Sequence, residues 1–282
     1  MEIREIESKS ILTPSKLPDT DYVINPYTGC AFGCTYCYAS FMGRYVGKTN
    51  DDWGEFVYVK TNAPELLIKD LKKLKNKGIG KSIFFSSVTD PYQGMEAKYQ
   101  LTRKCLQVLL DFDFKGEVSI LTKSHLVLRD IDLIKKFKNI EVGFTITSTD
   151  DKISRYFEKM APNVSQRLDS MKKLNKEGIK TYAFVGPLLP HFVSNREKLD
   201  NLFKTIAETG TKELYVEHIN LSKYILERLL KEMPNLDKDV LEKFYTSKNK
   251  AYREELSNLV LELVKKYSLK LRLGSAIYHK EL

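Results

Sequence analysis

Three of the four cysteines in this 282-residue chain lie close together, as Cys30-Ala-Phe-Gly-Cys34-Thr-Tyr-Cys37. The spacing is C-x3-C-x2-C, and Tyr36 stands immediately before the third thiol. Three thiolates on one short loop can hold three corners of an iron–sulfur cube, which leaves the fourth iron open to a small molecule. A structural zinc site wants four ligands, normally as two separated pairs, and no second pair is present. A ferredoxin run spaces its cysteines differently. Clustered thiols of this kind point to metal or catalysis rather than to disulfides. On these residues alone, a non-catalytic zinc module or an electron carrier stays open beside the catalytic reading. Cys105 stands apart among apolar neighbours on a helical run and reads as a core residue.

Such a loop needs a scaffold, and the rest of the chain supplies a regular one. Runs that read as strands cover 22–25, 82–88, 117–122, 141–147, 180–185 and 213–218. Amphipathic helical segments lie between them at 64–77, 97–111, 126–138, 165–177 and 196–209. Several of these end in Gly before a strand begins, as in LNKEGIKTYAFV and AETGTKELYV. Strict alternation of this kind implies parallel strands joined by right-handed helical crossovers. Six such units predict a partial TIM-like (β/α)6 barrel of α/β class, with a doubly wound sheet as the alternative. The pattern changes after about residue 224. Helical stretches at 224–232, 238–246 and 249–267 follow, then a short apolar strand at 269–273. The expected division is a barrel over 1–222 and a C-terminal helical extension over 223–282.

Composition narrows the setting. Apolar residues make up 42% and charged residues 29%, which are ordinary globular values and exclude a disordered or collagen-like chain. No stretch approaches the apolar length of a membrane span, and the opening MEIREIESKS lacks the apolar run of a signal peptide. The expectation is a soluble cytoplasmic protein. The net charge of +9 permits binding to nucleic acid, although only 10 of the 46 basic residues are Arg, the better bidentate reader of phosphate.

The motif CAFGCTYC resembles the cluster-binding loop of the radical S-adenosylmethionine (SAM) superfamily, whose members use a partial (β/α)6 barrel. The segment SSVTDPYQGME, with LTR after it, is similar to the branch related to spore photoproduct lyase. The resemblance implies a 4Fe–4S cluster held by Cys30, Cys34 and Cys37, with SAM bound at the open iron. It further implies reductive cleavage of SAM to a 5′-deoxyadenosyl radical that abstracts hydrogen from a substrate, under anaerobic conditions and with a one-electron donor such as flavodoxin or ferredoxin. Ser87, Thr89 and Asp90 stand where the family holds the methionine amine. Lys123, ending the third strand, matches a Lys that pairs with the SAM carboxylate, and Thr147 or Ser148, ending the fourth, would reach the methionine or ribose. Tyr36 and Phe32 would flank the cluster. The chain departs from the lyase at the hydrogen-donating Cys, where it carries Ser86 and Ser87. Nucleic acid as the substrate is the alternative that this branch suggests.

Other polar residues sit near the same strand ends. Glu217, His218 and Asn220 follow the sixth strand, with Glu217 and His218 on opposite faces. His191 lies in a loop after the fifth, and His279 lies in the tail.

Overall fold

The computed structural model describes residues 1–190, 195–232 and 238–279, so His191 lies outside the described residues. Its strands are β1 (Glu2–Ile6), β2 (Leu12–Pro14), β3 (Tyr22–Ile24), β4 (Tyr27–Thr28), β5 (Phe56–Lys60) and β6 (Ser82–Phe85), then β7 (Glu117–Thr122), β8 (Ile140–Thr145), β9 (Lys180–Leu188), β10 (Glu213–His218) and β11 (Lys270–Leu271). The helices are α1 (Ala63–Leu71), α2 (Gly94–Tyr99), α3 (Leu101–Asp111), α4 (Ile131–Ile134) and α5 (Asp151–Phe157), then α6 (Val164–Lys176), α7 (Arg196–Glu208), α8 (Lys223–Glu232), α9 (Lys238–Thr246) and α10 (Lys250–Lys266).

Among the described residues, eight strands form one sheet in the order β11-β10-β9-β8-β7-β6-β3-β2. The strands β3, β6 and β7 pair in parallel, with Ile24 opposite Phe85 and Phe85 opposite Ile120. The strands β9, β10 and β11 also pair in parallel, while β2 runs antiparallel to β3. This is the mostly parallel α/β arrangement expected of a partial TIM-like barrel, with helices as the crossovers. No helix among the described residues is long and apolar enough to cross a membrane.

Two compact units divide the chain. The first takes residues 1–33, 39–143 and 177–180. Its core follows from spacing on α3, where Leu101, Cys105, Leu106 and Leu109 fall on one helical face and are buried. Ile83, Phe85, Val118 and Ile120 of β6 and β7 are likewise excluded from solvent. Burial raises the Cys105 thiol well above its ordinary range, as its core reading requires. The second unit takes residues 34–38, 144–176 and 181–282. There Leu199, Leu202, Phe203 and Ile206 of α7 bury beside Val260 and Leu263 of α10, and Arg196–Glu262 and Lys266–Asp200 ion pairs join the two helices at the surface.

Differences from the sequence reading have local causes. The expected helix 97–111 is two helices, because Gln100 turns left-handed at φ 54° between them. The expected helix 64–77 ends at Leu71, and Asn76 and Lys77 then take φ values of 50° and 54°. The segment 126–138 opens as a 3-10 turn, His125–Asp130, and strand 82–88 ends at Phe85, where the chain turns away through Asp90. A second, three-stranded sheet in the order β1-β5-β4 was not anticipated, and neither was α5.

Candidate active site

The cysteine loop leaves the C-terminal end of β3 after the short β4. It is tight enough that two of its positions admit only glycine. Gly29 has φ +89°, and a Cβ there would lie 2.4 Å from the Phe56 carbonyl oxygen. Gly33 has φ +58° and faces Gly54, whose own Cβ would meet the Gly33 Cα at 2.8 Å. Two successive turns shape the loop: the Gly33 N–H donates to Cys30 O at 3.3 Å, and the Cys37 N–H donates to Cys34 O at 3.2 Å. All three thiols are free of disulfides; Cys30 and Cys34 are buried and Cys37 is half-buried. Among the described residues, no three His, Cys, Asp or Glu side chains converge on one point as the ligands of a single ion do. In an iron–sulfur cube each thiolate binds a different iron, so such convergence is not what this donor set requires. Three soft thiols on one loop, two of them buried, fit a cluster.

In the first unit the loop after β6 reaches back to the cysteine loop. The Thr89 hydroxyl donates to Gly29 O at 2.6 Å. The Gln93 amide donates to the same Gly29 O at 3.2 Å and to Thr89 Oγ1 at 2.8 Å, while its oxygen accepts from the Ala31 N–H at 2.8 Å. Gln93 therefore grips the backbone on both sides of Cys30. Asp90 is buried, and its carboxylate accepts from Thr122 Oγ1 at 2.6 Å, from Tyr92 N at 2.9 Å and from Lys123 N at 2.8 Å. It ties the end of β6 to the end of β7. Burial raises its carboxyl, and these hydrogen bonds oppose the rise. Ser87 accepts from the Asn25 amide at 3.2 Å, and the Asn25 oxygen accepts from Val88 N at 3.1 Å. The Lys60 ammonium donates to the Asn25 carbonyl at 2.8 Å, and burial pulls that amine down to about 8. Lys123 itself is half-buried.

In the second unit Tyr36 and Thr147 meet at one carboxylate. The Tyr36 hydroxyl donates to Glu158 Oε1, and the Thr147 hydroxyl donates to the same oxygen at 3.3 Å. Arg167 donates to the other Glu158 oxygen and also to Thr145 O at 3.1 Å and Pro162 O at 2.7 Å. Glu158 and Arg167 are both excluded from solvent, so the carboxylate is fully compensated by one guanidinium and two hydroxyls. The Thr35 N–H donates to Phe157 O at 2.9 Å, Arg228 Nη1 reaches Cys34 O at 3.5 Å, and Tyr224 donates to Tyr38 O at 3.0 Å. Residues 34–38 are thus braced along their length.

The remaining candidates separate. Phe32 is buried, and Ser148 caps a turn by accepting from Asp150 N at 3.0 Å. Glu217 and His279 pair at 2.7 Å, which raises the imidazole of His279. His218 faces Tyr252 and Tyr278 at 5.8 and 5.4 Å between ring centres, and burial lowers it to about 4, so it stays neutral. Asn220 accepts from Ser222 N at 3.0 Å. Sequence reasoning placed Gln93 in the TDPYQ motif without assigning it a contact, and it missed Glu158, Arg167 and Arg228. Only Gln93 carried a signal.

The comparisons with known proteins bear on the family and the fold. Residues 24–206 match the family model described as the radical SAM superfamily. An uncharacterized protein of Methanocaldococcus jannaschii is 40% identical over 223 residues, covering 78% of this chain and 79% of that protein. The spore photoproduct lyase of Clostridium acetobutylicum is 22% identical over 224 residues, covering 77% of this chain and 62% of the lyase. A structure of spore photoproduct lyase complexed with dinucleoside spore photoproduct superposes with a TM-score of 0.73 at 17% identity, over 95% of this chain and 81% of that one. That likeness is one of fold. With more than half of its length matched and the cysteine loop at a strand's C-terminal end, the chain belongs to the radical SAM superfamily, enzymes that use a 4Fe–4S cluster and SAM for radical chemistry.

Proposed function

We propose that Cys30, Cys34 and Cys37 hold the cluster and that SAM occupies its fourth iron, flanked by Tyr36, Ser87, Thr89, Asp90, Lys123 and Thr147. The observation that carries this reading is the set of three thiols outside any disulfide, two of them buried, on one doubly turned loop. When bound, cluster and SAM together supply a 5′-deoxyadenosyl radical that abstracts hydrogen from a substrate. The chain's own residues position and shield. Thr89 and Gln93 fix the backbone about Cys30, and Asp90 holds the ends of β6 and β7 together. The Glu158 carboxylate orients Tyr36 and Thr147. Burial of these groups keeps water from the reacting region. A low-potential one-electron donor, such as flavodoxin or ferredoxin, and the reducing, anaerobic cytoplasm are the partner and the setting that this reading entails. The 1–222 stretch is the catalytic portion in this proposal, with 223–282 as its extension. Anaerobic reconstitution with iron and sulfide, followed by dithionite and SAM, should yield 5′-deoxyadenosine and methionine. An intact cluster without either product would instead favour an electron carrier.

A nucleic-acid substrate is the second reading, and one surface favours it. Arg44 is exposed, with its guanidinium 5.2 Å over the Phe41 ring and 4.8 Å over the exposed Tyr45 ring. A cation between aromatic faces suits stacking with bases, and the net charge of +9 favours a polyanion. Affinity for single-stranded DNA should then fall about a thousandfold between about 50 and about 200 mM salt. A flat response would dismiss this reading.

A further inference from the structure

We infer that Gln93 is the positioning residue for Cys30, a neutral clamp that locks the cluster loop onto the loop proposed to receive SAM. This inference rests on the assignment of Cys30 as a cluster ligand. Its basis is the pair of bonds that one side chain makes to the residues flanking that thiol. The Gln93 amide nitrogen donates to Gly29 O at 3.2 Å, and its oxygen accepts from Ala31 N at 2.8 Å. Both backbone groups next to Cys30 are therefore held from one plane, which fixes the direction in which the Cys30 Cβ points. Thr89 completes the clamp by donating to Gly29 O at 2.6 Å and accepting from the Gln93 amide at 2.8 Å.

The choice of side chain is physically specific. Gripping a carbonyl and an N–H at once needs a donor and an acceptor on one planar group. A carboxylate would repel the Gly29 carbonyl, and an ammonium would leave the Ala31 N–H unpaired. Asparagine has the right group on a shorter stem. An uncharged amide also adds no negative charge beside thiolates and a cluster.

The clamp is itself anchored. Gln93 is wholly buried at the N-cap of α2, where its carbonyl accepts from Glu96 N at 2.8 Å. Thr102 donates to Pro91 O at 2.6 Å. The buried Glu96 carboxylate accepts from Tyr27, from Thr102 N at 2.9 Å and from Arg129 at 2.8 Å. A side chain rooted in such a network transmits its position rather than adapting to the loop. The same segment carries Ser87, Thr89 and Asp90, so SAM bound there would steady the cluster loop through Gln93.

The test is the rate at which the anaerobically reconstituted protein loses iron to a chelator, with and without SAM, together with the electron paramagnetic resonance spectrum of the reduced cluster. Gln93→Ala should assemble a cluster, release iron at least about tenfold faster than the unsubstituted chain, and shift its spectrum. Added SAM should slow release in the unsubstituted chain and protect Gln93→Ala far less. Thr89→Val, which removes one arm of the clamp, should give a smaller acceleration. The melting temperature of the iron-free proteins checks that Gln93→Ala still folds. If it does not, the Thr89→Val rate and spectrum decide. Release rates within twofold of the unsubstituted chain for both variants, with unchanged spectra, would overturn the clamp. Full iron content in Cys30→Ala would instead overturn the ligand assignment beneath it.

Discussion

Cys30→Ala, Cys34→Ala and Cys37→Ala should each lose the cluster, while Cys105→Ala keeps its full complement of iron and sulfide. Two cysteines cannot hold a cube whose fourth iron is given over to SAM, and formation of 5′-deoxyadenosine should drop at least about a hundredfold with each loss. The loop offers no ready substitute, since Gly29, Ala31, Phe32 and Gly33 lack ligating side chains and the Thr35 and Tyr36 hydroxyls donate to Phe157 O and Glu158. Cys105 differs in kind. It is wholly buried on the apolar face of α3 beside Leu101, Leu106 and Leu109, and burial keeps its thiol protonated. Its removal leaves a small cavity and costs on the order of 1 kcal/mol of stability without touching the metal. Iron and sulfide analysis of the four variants, with deoxyadenosine measured in parallel, checks the assignment. An iron-replete variant among the first three, or an iron-free Cys105→Ala, would contradict it.

Arg167→Met should be the most destabilising single change outside the cysteine loop. The partner it abandons, Glu158, is as fully buried as Arg167 itself. Breaking such a pair from one side strands a charge in a low-dielectric interior, at about 3–5 kcal/mol. The Tyr36 and Thr147 hydroxyls still donate to Glu158, but two neutral donors do not replace a guanidinium that also binds Thr145 O and Pro162 O. At about 2–4 °C per kcal/mol for a chain of this order of size, the apparent melting temperature should fall by about 10 °C. Glu158→Leu combined with Arg167→Met removes both charges, and apolar replacement of a whole buried pair is often neutral or stabilising, so most of that loss should return. SAM affinity should not return with it, because Tyr36 and Thr147 lose their common anchor. A fall of less than about 1 kcal/mol in Arg167→Met would show that the pair is dispensable.

The metal chemistry was legible in the sequence because it is local. Three thiols within one turn-rich loop carry their meaning in their spacing, and the main-sheet strands from β3 to β10 announced themselves through alternation with amphipathic helices. The small β1-β5-β4 sheet was not legible, since β1 joins β5 through pairs such as Glu2 with Phe56, and nothing near either strand records the other. Gln93 showed only as a letter in a motif. Its amide acquires a role because α2 begins where it does and presents it to Gly29 and Ala31. Glu158 and Arg167 were hidden more deeply. Nothing local to Glu158, just after α5, or to Arg167, within α6, pairs the two or marks them as buried.

The chain alone determined the class of chemistry and the α/β alternation that supports it. Donor atoms and hydrophobic periodicity are properties of short segments, and short segments retain them in any context. Tertiary structure decided which polar groups became machinery. Hydrogen bonding and desolvation depend on what surrounds an atom in space, and for Gln93, Glu158 and Arg167 much of that surrounding comes from residues distant along the chain.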